Sequence, residues 1–144
     1  MSGTLEYEII WKVRRLFRAL EAASNDQLIP FGLTAAERAV LEFLYPDQVM
    51  TVPQIARRLQ VSRQYIQVTA NSLMEAGYTL SAGNPDHARS PLLSLTEKGR
   101  TAFAAIHESE QDRIDQIFAG IPMAEKVVTA RTLERVLTTL QTRR

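Results

Sequence analysis

Between Thr51 and Tyr78 the chain reads "TVPQIARRLQVSRQYIQVTANSLMEAGY", the stretch that most narrows what it can fold into. Thr51 with Gln54 three residues on is a capping box, and Pro53 sits in the first turn where its missing N–H costs nothing. Ile55, Ala56 and Leu59 give that helix an apolar side. After the short "VS", Ser62 is a good N-cap for a second helix, and Gly77 stands where helices commonly end in a left-handed residue. "YTLSAG" and "SPLLSLT" follow as short β-like runs around the loop "NPDHARSP", the pattern of a hairpin. Helix, tight turn, helix and hairpin in this order predict a winged helix-turn-helix. In that motif the second helix enters the DNA major groove and the first braces it across the backbone.

The second helix has two distinct faces. At about 100° per residue, Ile66, Ala70, Leu73 and Gly77 fall in one narrow arc suited to the core. Opposite lie Gln64, Val68 and Asn71, flanked by Gln67 and Tyr65, with no acidic residue before Glu75. A planar amide can pair with adenine through a donor and an acceptor, and an apolar Val can meet a thymine methyl. Ser62 and Arg63 open this helix and belong to the same candidate surface. Arg57 and Arg58 on the first helix are either phosphate contacts or plain surface charge. In the hairpin loop, His87 and Arg89 stand at the tip, and an arginine there could enter the minor groove. The same loop is a poor enzyme site, having no nucleophile nearby and no means of excluding water.

The flanks read as helices. Ile9, Val13, Leu16 and Leu20 predict an amphipathic helix from about residue 5 to 24, broken by "NDQLIPFG". "LTAAERAVLEFL" opens with a Thr34–Glu37 capping box and carries Val40, Leu41 and Leu44. A long helix follows the hairpin from about Thr96 to Ala119, with Phe103, Ile106, Ile114 and Ile117 on one side. After "GIP", a last helix starts at Pro122 and carries Val127, Leu133, Val136, Leu137 and Leu140. A helix of ~24 residues spans ~36 Å, more than so small a winged lobe can cover, so its apolar side calls for a partner chain. The fold class expected is mainly α (α+β). Residues 1–32 and 101–144 supply dimerisation helices around a winged domain at 33–100.

Charge is spread unevenly over the 144 residues. Residues 1–50 carry five Lys/Arg and seven Asp/Glu, residues 51–100 six and three, and residues 101–144 six and six. The middle third is therefore the mildly basic part. The chain has no cysteine, which removes disulfides, thiolate metal sites and a thiol nucleophile. No apolar run approaches the ~20 residues of a membrane helix. The N-terminus also lacks the pattern of a signal peptide, so a cytoplasmic location is expected. His107 and Glu110 lie three apart, but two ligands make no metal site and a solvated face is the expectation. No catalytic residue, metal or cofactor is expected.

Taken together, "LTAAERAVLEFL", the helix-turn-helix stretch and "ARSPLLSLTEKG" resemble the MarR family of bacterial transcriptional regulators, over roughly residues 33 to 103. The features that carry this are Val-Ser-Arg opening the second helix, Leu-x-x-x-Gly closing it, and Leu-Thr-Glu-Lys-Gly after the wing. The resemblance implies a homodimer whose terminal helices intertwine and hold two winged domains over a pseudo-palindromic DNA site. It further implies release of DNA by a small aromatic or phenolic ligand, and a repressor is the expected role. Arg89 matches the family's wing arginine; Gln64, Tyr65, Gln67 and Val68 fall on its base-facing stretch. Two positions depart from the pattern. The family usually has Asp two residues before the wing arginine, where this chain has His87, with Asp86 one residue earlier. Val68 occupies a place that is often basic or polar. Tyr7, Trp11 and Phe17 on the first helix either line a ligand pocket or pack in a dimer core. A winged module for protein–protein contact, with weak DNA affinity, is the alternative that the mild basicity leaves open.

Overall fold

A computed structural model describes residues 3–143. The chain divides into two compact units, one ending at Glu110 and the other beginning at Gln111. The first holds α1 (Leu5–Leu28), a 3-10 turn (Ile29–Phe31), α2 (Ala35–Leu44), β1 (Met50–Thr51), α3 (Val52–Leu59), α4 (Arg63–Glu75), β2 (Thr79–Ala82) and β3 (Leu92–Leu95). It also contains the start of α5 (Glu97–Ile117); the second unit holds the rest of α5 and α6 (Met123–Thr142). Among the described residues, no helix is long and apolar enough to cross a membrane.

The predicted caps form. Thr34 Oγ1 accepts the Glu37 N–H at 3.1 Å while Glu37 Oε1 accepts that of Thr34 at 3.0 Å, and Thr51 with Gln54 repeats this at the start of α3. Ser62 Oγ accepts the Tyr65 N–H at 3.1 Å. Between α3 and α4 the chain turns on Gln60, held left-handed at φ 57°, with the Val61 N–H returning to the Ala56 carbonyl at 3.1 Å. That closure is what makes the connection tight, and it uses a non-glycine residue in a conformation that glycine usually supplies. At the end of α4, Gly77 takes φ 83° and the Tyr78 N–H reaches the Leu73 carbonyl at 3.0 Å.

The expected hairpin is the larger part of a three-stranded antiparallel sheet of order β1-β3-β2. Thr79 pairs with Leu95 and Ala82 with Leu92, while Met50 and Thr51 pair with Leu93 and Leu92 on the other edge. Two residues leading into a helix cap carry no strand periodicity, so β1 was not foreseen. Also unforeseen, α1 continues four residues past the expected end, to Leu28, which is buried.

Val40, Leu41, Leu44, Ile55, Ile66, Leu73 and Ile106 are fully enclosed, each contributing about 1.5–3 kcal/mol by burial. Ile66, Ala70 and Leu73 face inward as their spacing predicts, joined by Thr69, whose hydroxyl donates to the Tyr65 carbonyl at 2.9 Å. The "LTEKG" run locks α5 to the end of α4. Thr96 donates its N–H to Tyr78 O at 3.0 Å and its hydroxyl to Gly77 O at 2.6 Å, and Lys98 Nζ donates to Ala76 O at 2.7 Å. Gly99 is demanded by this contact, because a Cβ on it would stand 2.0 Å from Tyr78 O.

Farther along α5, Glu110 receives a two-pronged bond from Arg38 of α2, at 2.5 and 2.6 Å, and Arg38 also reaches Glu42. Hydrogen bonding to Glu110 first, then to Glu42, raises the guanidinium's proton affinity against the opposing effect of burial. The Arg38 guanidinium lies 5.6 Å from the centre of the Phe103 ring, and His107 stacks on that ring from 6.0 Å. The solvated His107–Glu110 face is thus corrected on one side. His107 is exposed, whereas Glu110 turns in to meet a cation that sequence spacing along one helix could not disclose. On α1, Glu8 pairs with Lys12 at 2.7 Å.

Candidate nucleic-acid interface

The helix-turn-helix core fixes which side of α4 faces outward. With Ile66, Thr69, Ala70 and Leu73 buried, the residues left in solvent are Arg63, Gln64, Tyr65, Gln67, Val68, Asn71, Ser72 and Glu75. Val68 is 63 % and Tyr65 53 % exposed, high for apolar and aromatic side chains on a short, well-packed helix. Gln67 Nε2 donates to Asn71 Oδ1 at 2.9 Å, so these two amides orient each other. Ser62 Oγ caps the helix as an acceptor, which leaves its O–H able to donate outward.

The loop between β2 and β3 is organised by Asn84, which sequence reasoning missed. Its amide nitrogen donates to Ser90 O at 3.0 Å and its amide oxygen accepts the Asp86 N–H at 3.0 Å. The Asn84 carbonyl also accepts the His87 N–H, and the His87 carbonyl that of Ser90. The signal that could have found it is the "NPD" sequence itself, since Asn before such a turn commonly bonds its own backbone two residues on. Where the resemblance leads one to look for Asp at position 87, the shape is kept by Asn84 instead.

Loop and helix together enclose a groove of about 380 Å³ lined by Arg63, Gln64 and Gln67 of α4, His87, Arg89, Ser90 and Pro91 of the loop, and Val52 and Pro53 of α3. No carboxylate lines it. Among the described residues, Arg57, Arg58, Arg63 and Arg89 form no ion pair, so their charge is available to an anion. Arg57 and Arg58 lie outside this groove. They line a separate concavity with Phe43, Gln48, Met50 and Gln54, where the Arg58 guanidinium sits 5.7 Å from the Phe43 ring centre. Tyr7, Trp11 and Phe17 are all exposed on α1. Tyr7 and Trp11 stand one turn apart, but Phe17 lies about 120° around the helix from Trp11, so the three do not converge on one face.

Two helices at a tight turn, an exposed second helix and an arginine-bearing hairpin loop beside its N-terminus define a winged helix-turn-helix protein. Residues 31–90 match the sequence profile of the MarR family. The chain belongs to that family and has the fold of its transcription regulators. It is 40% identical over 98 residues, 68% of each chain, to the uncharacterized protein Rv2011c of Mycobacterium tuberculosis. A crystal structure of a MarR family transcription regulator superposes with a TM-score of 0.83 at 29% identity, over 94% of this chain and 89% of that one. Streptococcus pneumoniae FabT, crystallised in complex with DNA, gives a TM-score of 0.83 at 18% identity, over 96% of this chain and 99% of its own.

Proposed function

We propose that this protein is a cytoplasmic, DNA-binding transcription regulator, a repressor, that grips a pseudo-palindromic operator as a homodimer. The observation that carries the proposal is the carboxylate-free groove in which Arg63, His87 and Arg89 stand beside the outward face of α4. A phosphate backbone can run along these donors while α4 enters the major groove and Arg89 reaches the neighbouring minor groove. In this reading Ser62, Arg63, Gln64, Tyr65, Gln67, Val68 and Asn71 meet the major-groove side, His87 and Arg89 act from the wing, and Arg57 and Arg58 touch phosphate. FabT, captured on DNA with the same fold, supports it.

Dimerisation is supported by the terminal helices. In α6 no residue is buried, and Met123, Val127, Val128, Leu133, Leu137 and Leu140 stand exposed. Along α1, Leu5, Trp11, Leu16, Phe17 and Leu20 do the same. Apolar surface on this scale marks an interface, and a second copy would cover it. Two α4 helices would then read half-sites about one DNA turn, ~10 bp, apart or a small multiple of it. A small aromatic ligand near Tyr7 and Trp11, favouring another spacing of the two helices, would shift the population away from DNA.

The test is fluorescence anisotropy with the intergenic DNA beside the protein's own gene and a scrambled control, over a salt series, with sedimentation to establish the dimer. Tight, selective binding that weakens steeply with salt is expected, because neutralised phosphates release counterions. Weak binding to both DNAs with little salt dependence would favour a protein-contact module and refute the proposal.

A further inference from the structure

We infer that the operator half-site is built on A·T base pairs, with a thymine methyl seated against Val68 and adenine edges read by the amides of Gln64, Gln67 and Asn71. This rests on the DNA-binding reading above and adds the sequence class that the protein selects.

The outermost strip of α4 holds Asn71, Gln64 and Val68 within about 60° of arc, and all three are exposed. Guanine is read best by Arg or Lys donating to O6 and N7 together, and cytosine by an acidic acceptor at N4. In α4 the only cation is Arg63 at its first residue, about 80° or more around the helix from this strip, on the side shared with His87 and Arg89. The first acid is Glu75, one turn beyond Asn71 at the far end of the helix. Neither guanine nor cytosine therefore finds its usual partner along the strip. Adenine does, since its N6 donor and N7 acceptor need one acceptor and one donor, which the free amide of Gln64 supplies.

Gln67 and Asn71 act as a pair. Because the Gln67 nitrogen donates to the Asn71 oxygen at 2.9 Å, the pair turns outward one amide oxygen and several N–H groups in a fixed arrangement. That again matches the mixed edge of adenine, and less freedom is lost on binding than for two separate side chains. Val68 offers carbon alone. Opposite a G·C pair it would leave a polar edge unpaired, whereas opposite A·T it meets the thymine C5 methyl. Arg89 on the wing adds to the same preference, since A·T-rich DNA has the narrow, strongly negative minor groove that attracts arginine.

The experiment begins with selection from a random duplex pool by the unmodified dimer. Anisotropy on the best site follows, with single thymines replaced by uracil and single A·T pairs by G·C. Half-sites with A·T cores are expected, and each A·T to G·C exchange should weaken binding about 5- to 150-fold. At one position, uracil for thymine should cost about 4-fold, the worth of one buried methyl, and Val68→Ala should no longer sense that change. Val68 is exposed, so the variant should fold, and circular dichroism checks this. Enriched half-sites with G·C cores, or Val68→Ala responding to uracil as strongly as the parent, would overturn the inference while leaving the regulator intact. A pool that shows no enrichment and binds without salt dependence would overturn both.

Discussion

Gly99→Ala separates local helix preference from tertiary packing, because the two predict opposite signs. Alanine is the better helix former by about 1 kcal/mol, and Gly99 lies in the first turn of α5, so propensity alone makes the variant more stable. The fold argues otherwise. The new Cβ would sit 2.0 Å from Tyr78 O and 3.2 Å from a Leu95 methyl, so helix or strand must move by about 1 Å to restore ordinary contact. Such a shift strains the bonds that Thr96 makes to Tyr78 O and Gly77 O and that Lys98 makes to Ala76 O. Overpacking of this kind costs about 1–3 kcal/mol, and each weakened bond about 0.5–1.5 kcal/mol. After subtracting the propensity gain, a net loss of about 2–4 kcal/mol is expected, lowering the melting temperature by roughly 10 °C. Urea unfolding followed by far-UV circular dichroism, at one fixed protein concentration, reads this directly. A midpoint equal to or above the parent's would show that α5 does not rest on the Tyr78 carbonyl.

Three further outcomes are expected. Arg89→Ala should weaken operator binding by about 1–3 kcal/mol, and an unchanged Kd in a folded dimer would remove the wing from the interface. Asn84→Ala takes away both side-chain ties of the wing loop and should lower operator affinity about tenfold while the melting temperature barely moves, which anisotropy and thermal scans on one preparation will decide. Glu110→Gln keeps the shape but halves the pairing of Arg38, and with Glu110's side chain only 18% exposed it should cost about 1–2 kcal/mol in chemical denaturation. Glu42→Gln, at 56% exposure, should cost less than about 1 kcal/mol, so equal losses would contradict the geometry.

Much of the architecture was legible because it rests on short-range chemistry. Thr34 with Glu37, Thr51 with Gln54, and Ser62 bond within a single turn, so the starts of α2, α3 and α4 are written locally. The spacing of Ile66, Ala70 and Leu73 likewise decided which side of α4 is buried, and hence that Gln64, Val68 and Asn71 face out. Tertiary structure alone decided what depends on residues distant in the chain. It paired Met50 and Thr51 with β3, a strand too short to have a period, and it turned Glu110 toward Arg38 although 72 residues separate them. It also brought Arg63 and Gln64 of α4 to the same groove as His87 and Arg89, which no spacing along one helix can specify. Gly99 marks the boundary between the two. Its place in "LTEKG" was visible in the sequence, but the reason for it, a carbonyl from the turn between α4 and β2 lying where a side chain would be, exists only once the chain has folded.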